Sequence, residues 1–339
     1  MKNQIAAGSN VLVTGATGYT GTALVRKLLD IGVHVRAVAR KSSNIAPLEN
    51  LPITWLRGEV FDEQTIKSAM EDVHYVFHVA AAFRDPKSTE QDYRNVHLKS
   101  TQLIVDEALR NPDFKRLVHV STMGVHGHIE NPPGDETFPF SPGDGYQRTK
   151  AEAEIWLKDF AKDKDFPYTI IRPCAIYGPG EKRLLKLYKM ATRKFFPILG
   201  QGKCWYHLVH VEDLVGAMIV AATEPRALGE AFIIGSSEPI QLEEMAAIIA
   251  REFNHRLRIV RLPISPFFLL GDICEAICKP LKINPPIYRR RVAFYSKDRN
   301  FSTQKMREVL GYQPLYENER GIVESAHWYR DNKWLEVSE

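Results

Sequence analysis

Residues 11–21, VLVTGATGYTG, decide the fold of this chain. A β-branched run ends at Thr14, a glycine-rich turn follows, and Thr20–Ile31 then carries apolar residues at helical spacing. Glycines let the backbone approach a ligand closely, and the N–H groups at a helix start attract a negatively charged diphosphate. The stretch therefore predicts a nucleotide-binding turn, whose candidate contacts are Gly15, Thr17, Gly18, Tyr19, Thr20 and Gly21.

Apolar, strand-like runs alternate with helical patterns through the first half of the chain. Right-handed crossovers cover both faces of a parallel sheet with helices, so its strands are apolar along their whole length. The alternation predicts an α/β fold with a Rossmann-type, doubly wound parallel sheet. A helix is predicted over 96–110, and the predicted strands are 11–14, 33–39, 53–56, 75–79, 117–120 and, closing the series, 169–171.

Beyond Arg172, frequent prolines break the sequence into shorter elements. A helix over 242–253 and a strand over 255–262 predict a smaller C-terminal α/β domain that binds the substrate. A helix over Val211–Thr223 is expected to return to the first domain. The predicted division is therefore 1–173 with 208–236 for the nucleotide-binding domain, and 174–207 with 237–339 for the substrate domain.

Composition limits the classes of function. A net charge of +4 over 339 residues does not indicate a nucleic-acid binder, and four scattered cysteines do not form a disulfide framework. Cys274 and Cys278 are interpreted as reduced core residues. The closely spaced histidines, at 126 and 128 and at 207 and 210, are interpreted as packing or substrate-shell residues, so no metal site is predicted. No leader or spanning segment is evident, and a cytoplasmic location is expected.

The end of the second strand bears on which cofactor binds. An acidic residue at this position would hydrogen-bond the ribose hydroxyls of NAD, whereas Arg40 offers a guanidinium fork to a 2′-phosphate. A solvated basic turn is the alternative explanation. We expect NADP(H) to be favoured over NAD(H).

Residues 146–150, YQRTK, begin a predicted helix that runs to about residue 162. Residues four apart share one helical face, so Tyr146 and Lys150 can point into the same site. A nearby ammonium stabilises the phenolate form of tyrosine, which makes Tyr146 a candidate general acid or base. The pattern alone is also compatible with a surface tyrosine and a solvated lysine.

Six segments, taken in chain order, resemble the extended short-chain dehydrogenase/reductase family. They are TGATGYTG (14–21), YRNVHLKST (93–101), VHVSTMGVHG (118–127), YQRTK (146–150), RPCAIYGPG (172–180) and YHLVHVEDL (206–214). The resemblance runs from about residue 10 to 315. It implies hydride-transfer chemistry on a bound nicotinamide cofactor.

The resemblance implies roles for four catalytic residues. The Thr122 hydroxyl would hydrogen-bond the substrate oxygen, with Ser121 as the alternative if the register is shifted by one. Tyr146 would exchange the proton, Lys150 would hold the nicotinamide ribose, and Asn95 would order a proton-relay water.

The resemblance also implies further cofactor contacts. Glu59 and Val60 would lie beside the adenine, and the next strand end would contribute Ala80 and Ala81. The RPCAIYGPG segment would contribute Pro173 and Ile176, and Tyr146 and Lys150 would contact the cofactor as well. His126 stands where the family usually has tyrosine and is expected to alter the substrate contacts.

The C-terminal segment narrows the substrate class. Residues 286–292, PIYRRRV, with 298–301 and 310–314, resemble the 3β-hydroxysteroid and sterol-carboxylate dehydrogenase branch, and the second strand resembles the dihydroflavonol-reductase branch. The first hypothesis is an NADP(H)-dependent oxidoreductase that interconverts a hydroxyl and a ketone on an apolar, ring-containing substrate. The second is a nucleotide-sugar epimerase or dehydratase, with a diphosphate pocket from Lys182, Arg183, Lys186, Arg193 and Lys203. The third is a non-catalytic NADP-binding regulator.

Residues 263–283 carry apolar side chains at 270, 273, 277 and 281, a helical spacing. One interpretation is a helix packed on the substrate domain's own core. The other is a mobile apolar lip at 267–270 that admits a hydrophobic substrate from solution or from a membrane surface. Both predict burial. The expected partners are a small-molecule substrate, a second copy of the chain in a homodimer, no nucleic acid, and a peripheral membrane contact through 263–283.

Overall fold

A parallel sheet of seven strands forms the centre of the molecule. The computed structural model describes residues 5–82, 88–278, 280–281, 283, 285–287, 289–293 and 295–336. The strand order is β3-β2-β1-β4-β5-β6-β11, which confirms the predicted Rossmann-type fold. The strands are β1 (Asn10–Thr14), β2 (His34–Ala39), β3 (Ile53–Arg57), β4 (Tyr75–His78), β5 (Arg116–Val120), β6 (Tyr168–Pro173) and β11 (Ala231–Ile234).

Helices cover both faces of this sheet, as the uniformly apolar strands require. On one face, α1 (Tyr19–Asp30), α7 (Val211–Thr223) and α11 (Gln304–Val309) bury side chains such as Leu24 and Met218. On the other face, α2 (Glu63–Ala69), α4 (Ser100–Ala108) and α5 (Gly145–Lys164) bury side chains such as Ile104 and Leu157. The carboxyl ends of the strands therefore open at one edge, where ligands bind in such folds.

The sheet and one helix differ from the prediction. Residues 169–171 do not close the sheet, because β11 pairs with β6 and adds a further parallel strand. The helix predicted over 96–110 is preceded by α3 (Glu90–Arg94) and contains a π-helical turn, Asn95–Lys99. The Ser100 hydroxyl donates to the Val96 carbonyl at 2.6 Å, and the Thr101 hydroxyl to that of His97 at 2.6 Å. These two bonds give the Val96 and His97 carbonyls of the widened turn hydrogen-bond donors.

The C-terminal part surrounds a third core, formed by side chains such as Tyr188, Ile249 and Tyr329. Its helices are α6 (Leu185–Ala191), α8 (Leu242–Glu252) and α12 (Asn318–Asp331). Three two-stranded sheets complete it: β7 (Ala175–Tyr177) with β10 (Leu208–His210), β9 (Trp205–Tyr206) with β12 (Ile240–Gln241), and β8 (Phe196–Leu199) with β13 (Ile259–Leu262). The strand predicted from residue 255 thus begins at Ile259.

The helix α9 (Ser265–Cys278) is packed differently from the prediction. Its main packing partner is the short helix α10 (Arg289–Ala293), and Gly271 is its one fully buried residue. The predicted burial is wrong for all four apolar positions: Leu270, Ile273, Ile277 and Leu281 are 41%, 47%, 58% and 62% exposed. Cys274 and Cys278 are free and half-buried rather than core residues. Within the described residues, no helix has the length and apolar character needed to cross a membrane.

Candidate active site

The glycine-rich turn after β1 is shaped by two close approaches. Gly15 has a φ of +74°, and a Cβ there would lie 2.7 Å from the backbone nitrogen of Ala80. A Cβ on Gly21 would lie 2.0 Å from the Gly15 carbonyl oxygen. Gly18 occupies the N-cap of α1 without a capping side chain, and the first turn contains no acidic residue. The free N–H groups at this helix start fit the diphosphate of a dinucleotide.

Tyr19 and Thr20 begin α1 behind this turn. Thr20 is buried, whereas the Tyr19 ring packs towards the RPCAIYGPG segment, where a Cβ on Gly178 would lie 2.7 Å from the Tyr19 hydroxyl. Burial raises the pKa of Tyr19. The tyrosine side chain therefore serves to pack the helix start, and only its backbone remains available to a diphosphate.

The ends of β2 and β3 form the predicted adenosine end of the site. The Gly58 N–H donates to the Ala39 carbonyl at 3.0 Å, which draws the two strand ends together. Glu59 and Val60 follow directly, half-buried and buried respectively. Arg40 is exposed at the same edge. This end of the site therefore consists of short turns on which Val60 is buried and the basic Arg40 faces solvent.

Lys150 lies at the opposite, nicotinamide end and is only 1% exposed. Its Nζ donates to the Val120 carbonyl at 2.8 Å and lies 3.5 Å from the Ala80 carbonyl, at the carboxyl ends of β5 and β4. Burial lowers the pKa of Lys150 to about 7, and the nearby Glu154 carboxylate opposes that change. The ammonium is thus held by backbone oxygens where the glycine-rich turn meets Ala80, and Ala81 is exposed beside it.

Tyr146 lies one helical turn before Lys150 and is half-buried. The Asp144 carboxylate accepts from the Gln147 N–H at 2.8 Å and so fixes the start of α5. The Tyr146 ring meets the rings of His97 and Tyr93 edge to face, with centroids 5.1 Å and 6.3 Å away. The tyrosine is therefore oriented by aromatic packing from the π-helical region.

Thr122 and Ser121 differ in accessibility. Thr122 is half-buried, and its Oγ1 accepts from the Gly124 N–H at 3.1 Å. A Cβ on Gly124 would lie 3.2 Å from that Oγ1 and 2.8 Å from the Gln147 amide nitrogen, so Thr122 lies beside the start of α5. Ser121 is 4% exposed, and its hydroxyl has no partner among the described residues. This placement favours Thr122 as the hydroxyl that reaches a substrate.

A buried hydrogen-bonded chain lies beneath these residues, and the sequence interpretation did not include it. The Ala80 N–H donates to Thr14 Oγ1 at 3.3 Å, and the Thr14 hydroxyl donates to His78 Nδ1 at 2.7 Å. His78 Nε2–H then donates to the Ser100 hydroxyl at 2.9 Å, which donates to the Val96 carbonyl. The Ser100 hydroxyl gives its proton to the Val96 carbonyl, so His78 Nε2 carries the ring proton, and in the neutral ring Nδ1 accepts from the Thr14 hydroxyl. Burial, followed by the Lys150 charge, lowers the pKa of His78 to about 3.

His97 makes a second link, from the end of β4 to α5. The Ala82 N–H donates to His97 Nε2 at 3.2 Å, so Nδ1 carries the proton and donates to the Thr149 hydroxyl at 2.8 Å. That hydroxyl donates to the Gly145 carbonyl at 2.9 Å. The π-helical turn is thereby fixed to the start of the catalytic helix. A sequence signal existed, because hydroxyl residues at 100 and 101 inside a helix often bond back to a carbonyl four residues earlier.

Asn95 is the first residue of the π-helical turn and is half-buried. Its Oδ1 accepts from the Gln91 side-chain amide at 3.0 Å. Its backbone carbonyl accepts from the Ser100 N–H across the widened turn. The structure thus places Asn95 in the element that packs on α5. The relay role implied for it stays a prediction.

A buried ion pair anchors the segment that carries Pro173 and Ile176. The Arg172 guanidinium donates to both oxygens of Glu154, at 3.2, 3.0 and 2.7 Å, with both side chains at most 1% exposed. Pro173, buried, ends β6, and Ile176, half-buried, lies in β7.

The expected role of His126 in substrate contacts is wrong. The His126 ring is fully buried, and its Nε2 accepts from Arg172 at 3.1 Å. Burial and then the Arg172 charge lower the pKa of His126 to about 4, so it is a neutral packing residue. His207 is also a packing residue, because it hydrogen-bonds the Ser236 carbonyl at 2.8 Å.

Comparison with known proteins identifies the family of this chain. A model of the NAD dependent epimerase/dehydratase family matches residues 11–235. Sterol demethylase protein B of Methylococcus capsulatus is 36% identical over 335 residues, covering 94% of this chain and 98% of that protein. The 3 beta-hydroxysteroid dehydrogenase/Delta 5→4-isomerase of Mycobacterium tuberculosis is 27% identical over 338 residues, covering 94% and 90%.

A solved structure confirms the fold. The dTDP-glucose 4,6-dehydratase of Bacillus anthracis, determined in complex with NAD, superposes with a TM-score of 0.73 over 97% of this chain and 99% of that chain, at 21% identity. Its identity is low, so the likeness concerns the architecture alone. The chain therefore belongs to the NAD-dependent epimerase/dehydratase family and is an enzyme of the extended short-chain dehydrogenase/reductase type.

Proposed function

We propose that this enzyme is an NADP(H)-dependent oxidoreductase that interconverts a hydroxyl and a ketone on an apolar, ring-containing substrate. The observation that carries the reaction type is the placement of Thr122, just after β5 and beside the start of α5, next to the helix that bears Tyr146 and Lys150, with Lys150 bonded to the end of β5. The substrate class is supported by the relative named as a sterol demethylase protein, which matches along almost its whole length.

The residues divide the proton chemistry between them. The nicotinamide cofactor supplies or accepts the hydride. In reduction, Tyr146 gives its phenolic proton to the substrate oxygen, and in oxidation its phenolate takes that proton back. The Thr122 hydroxyl donates a hydrogen bond to the same oxygen. Lys150, charged at or below its pKa of about 7, stabilises the phenolate.

The proposed preference for NADP(H) rests on the turn after β2. Arg57 donates through Nη2 to the Lys41 carbonyl at 2.8 Å and to the Ser43 carbonyl at 3.3 Å, which orders residues 40–43. Arg40 and Lys41 are exposed on that ordered turn. The Arg40 guanidinium, carried on this ordered turn, suits a 2′-phosphate because it can form charge-assisted bonds with two oxygens.

A nucleotide-sugar epimerase or dehydratase is the second candidate. Four exposed basic residues line one shallow depression on α6 and the turns that flank it: Lys182, Lys186, Lys189 and Arg193. Such a cluster suits a diphosphate. Arg183 is less available, because it pairs with Glu181 and donates to the Ile176 carbonyl at 3.1 Å.

One experiment separates the two candidates. The purified enzyme is incubated with NADPH or NADH and a panel of cyclic apolar ketones, and the absorbance of the reduced cofactor is followed. A parallel series contains nucleotide sugars, with products resolved by chromatography. Consumption of NADPH with a ketone, abolished in Tyr146→Phe, supports the proposal. Conversion of a nucleotide sugar without net cofactor consumption supports the second candidate and overturns the first.

A further inference from the structure

The helix α9 has its apolar face turned outward. Leu269, Leu270, Ile273 and Ile277 are 63%, 41%, 47% and 58% exposed, and the strip continues through Leu281 at 62%. Phe267, Phe268 and Gly271 face the protein instead, half-buried or buried. Side chains at this spacing form one continuous stripe along a helix. A stripe of large aliphatic side chains in water is unfavourable unless something covers it.

The neighbouring helix α8 shows that the same region buries apolar faces where a core is available. Residues such as Leu242, Met245 and Ile249 are at most 5% exposed, and the acidic Glu243 and Glu244 lie at its start. The exposed stripe on α9 is therefore a property of that helix rather than of loose packing in the C-terminal part.

The net charge of the residues around α9 in the sequence indicates which kind of surface would cover the stripe. Residues 256–291 contain eight arginines and lysines but only Asp272 and Glu275 as acids. This segment thus carries a net +6, while the whole chain carries +4, so the remaining residues are net negative. Arg256 and Arg258 are exposed, as are Arg289 and Arg261, the last of which pairs with Glu243.

The two acidic residues of α9 are already bonded to Arg289 within the protein. Asp272, although exposed on the helix, forms an ion pair with Arg289, and Glu275 accepts from the Arg289 backbone N–H at 2.9 Å. Arg289 also lies over the Phe268 ring, 4.9 Å from its centroid. The outward face therefore presents aliphatic groups on a chain segment with an excess of positive charge, which is the chemistry of helices that lie in an anionic lipid interface.

We propose that α9 is a membrane-docking helix whose stripe of Leu269, Leu270, Ile273 and Ile277, together with Leu281 beyond its end, inserts into the surface of an anionic phospholipid bilayer. The helix has 14 residues, about 21 Å at 1.5 Å per residue, which is shorter than the apolar thickness of a bilayer. It therefore lies along the interface rather than crossing it. This docking does not depend on which substrate the enzyme uses.

The test is co-flotation of the full-length enzyme with vesicles, either of phosphatidylcholine alone or of phosphatidylcholine mixed with an equal amount of phosphatidylglycerol. We expect binding to the mixed vesicles, weaker binding to the neutral ones, and a decrease as salt is raised. The double variant Ile273→Gln/Ile277→Gln should lower the partition coefficient at least tenfold, because two aliphatic side chains no longer insert. Arg256→Gln/Arg258→Gln should weaken binding to the mixed vesicles only.

The matched control is Leu109→Gln/Leu228→Gln, which removes two aliphatic side chains that are each 50% exposed elsewhere on the molecule. It should float like the wild type. Cofactor binding by fluorescence verifies that every variant is folded. The proposal is overturned if the wild type does not float with the mixed vesicles, if the α9 variant floats like the control, or if neutral vesicles bind equally well. It is also overturned if light scattering shows that the α9 variant loses a self-associated state and that the wild type does not bind lipid, because a second copy would then cover the stripe.

Discussion

The two ends of the cofactor site are built in opposite ways. At the nicotinamide end, Lys150, His78 and His97 are buried, and each is fixed by bonds to backbone or hydroxyl groups. At the adenosine end, Arg40 directly follows β2 and Arg57 ends β3, and both are exposed. The difference teaches that the proposed catalytic groups are part of the folded interior, whereas the proposed cofactor preference rests on side chains that can change without disturbing a core.

The catalytic end lies on a polar layer that crosses the sheet. Thr14, His78 and His119 are neighbours on β1, β4 and β5, all buried at or next to the carboxyl ends of their strands. Burial, and then the charge on Lys150, lowers the pKa of His119. The neutral rings of His78 and His119 therefore lie near the Lys150 ammonium without adding a second positive charge.

The largest effect is expected for Tyr146→Phe, which keeps the ring packing on His97 and removes only the phenolic hydroxyl. Turnover should fall by about 10²–10⁴-fold, the usual contribution of general acid–base catalysis. The measurement is the steady-state rate with a ketone from the panel that the wild-type enzyme reduces. Cofactor affinity, measured by fluorescence, should be unchanged. A variant with nearly normal turnover would exclude Tyr146 as the proton donor.

The second effect concerns the interior beneath the nicotinamide end. Glu154→Gln removes the charge that compensates the fully buried Arg172, so the free energy of unfolding should fall by about 3–5 kcal/mol. Urea denaturation measures it. The matched control is Glu152→Gln on the same helix, whose pairing with Arg94 is solvent-exposed and should contribute less than about 1 kcal/mol. Equal effects of the two substitutions would mean that burial does not determine how much the Arg172–Glu154 ion pair contributes to the free energy of unfolding.

The sequence predicted those parts of the molecule that local chemistry dictates. The glycines at 15 and 21 are required by backbone approaches that admit no Cβ, and the four-residue spacing of Tyr146 and Lys150 follows from the helix itself. The motifs therefore located the turn and the catalytic helix correctly.

The remaining features depend on long-range packing. The strand β11 pairs with β6 across some sixty residues of chain, and His78 and His97 join elements that are distant in sequence. The sequence predicts the helical spacing of the apolar residues in α9, but this spacing does not indicate whether the apolar face packs against a core. Its exposure is consequently visible only in three dimensions.

The third effect tests the adenosine end. Arg40→Asp replaces the guanidinium by a carboxylate, so NADPH affinity should fall by about 10- to 150-fold, equivalent to about 1.5–3 kcal/mol for a charge-assisted hydrogen bond. Fluorescence titration with NADPH and NADH measures both affinities. Arg110→Asp, at an exposed arginine before the amino end of β5, is the control and should leave both unchanged. An unaltered NADPH preference in Arg40→Asp would mean that Arg40 does not bind the phosphate.

The last effect is the pH dependence that burial of Lys150 introduces, and it tests the comparison most directly. The pKa of Lys150 is about 7 in the folded enzyme and 10.5 for an ordinary lysine. Below pH 7 the amine is protonated in both states, so it adds no pH dependence. Between these two values the unfolded chain binds more protons, so stability rises with pH by at most about 1.4 kcal/mol per pH unit. Lys150→Met should lack this increase, and the difference between wild-type and variant unfolding free energies should therefore change in favour of the wild type from pH 7 to pH 9. Urea denaturation across that range measures the difference. A constant difference would show that the Lys150 amine keeps an ordinary pKa, and the nicotinamide end would then be as solvated as the adenosine end.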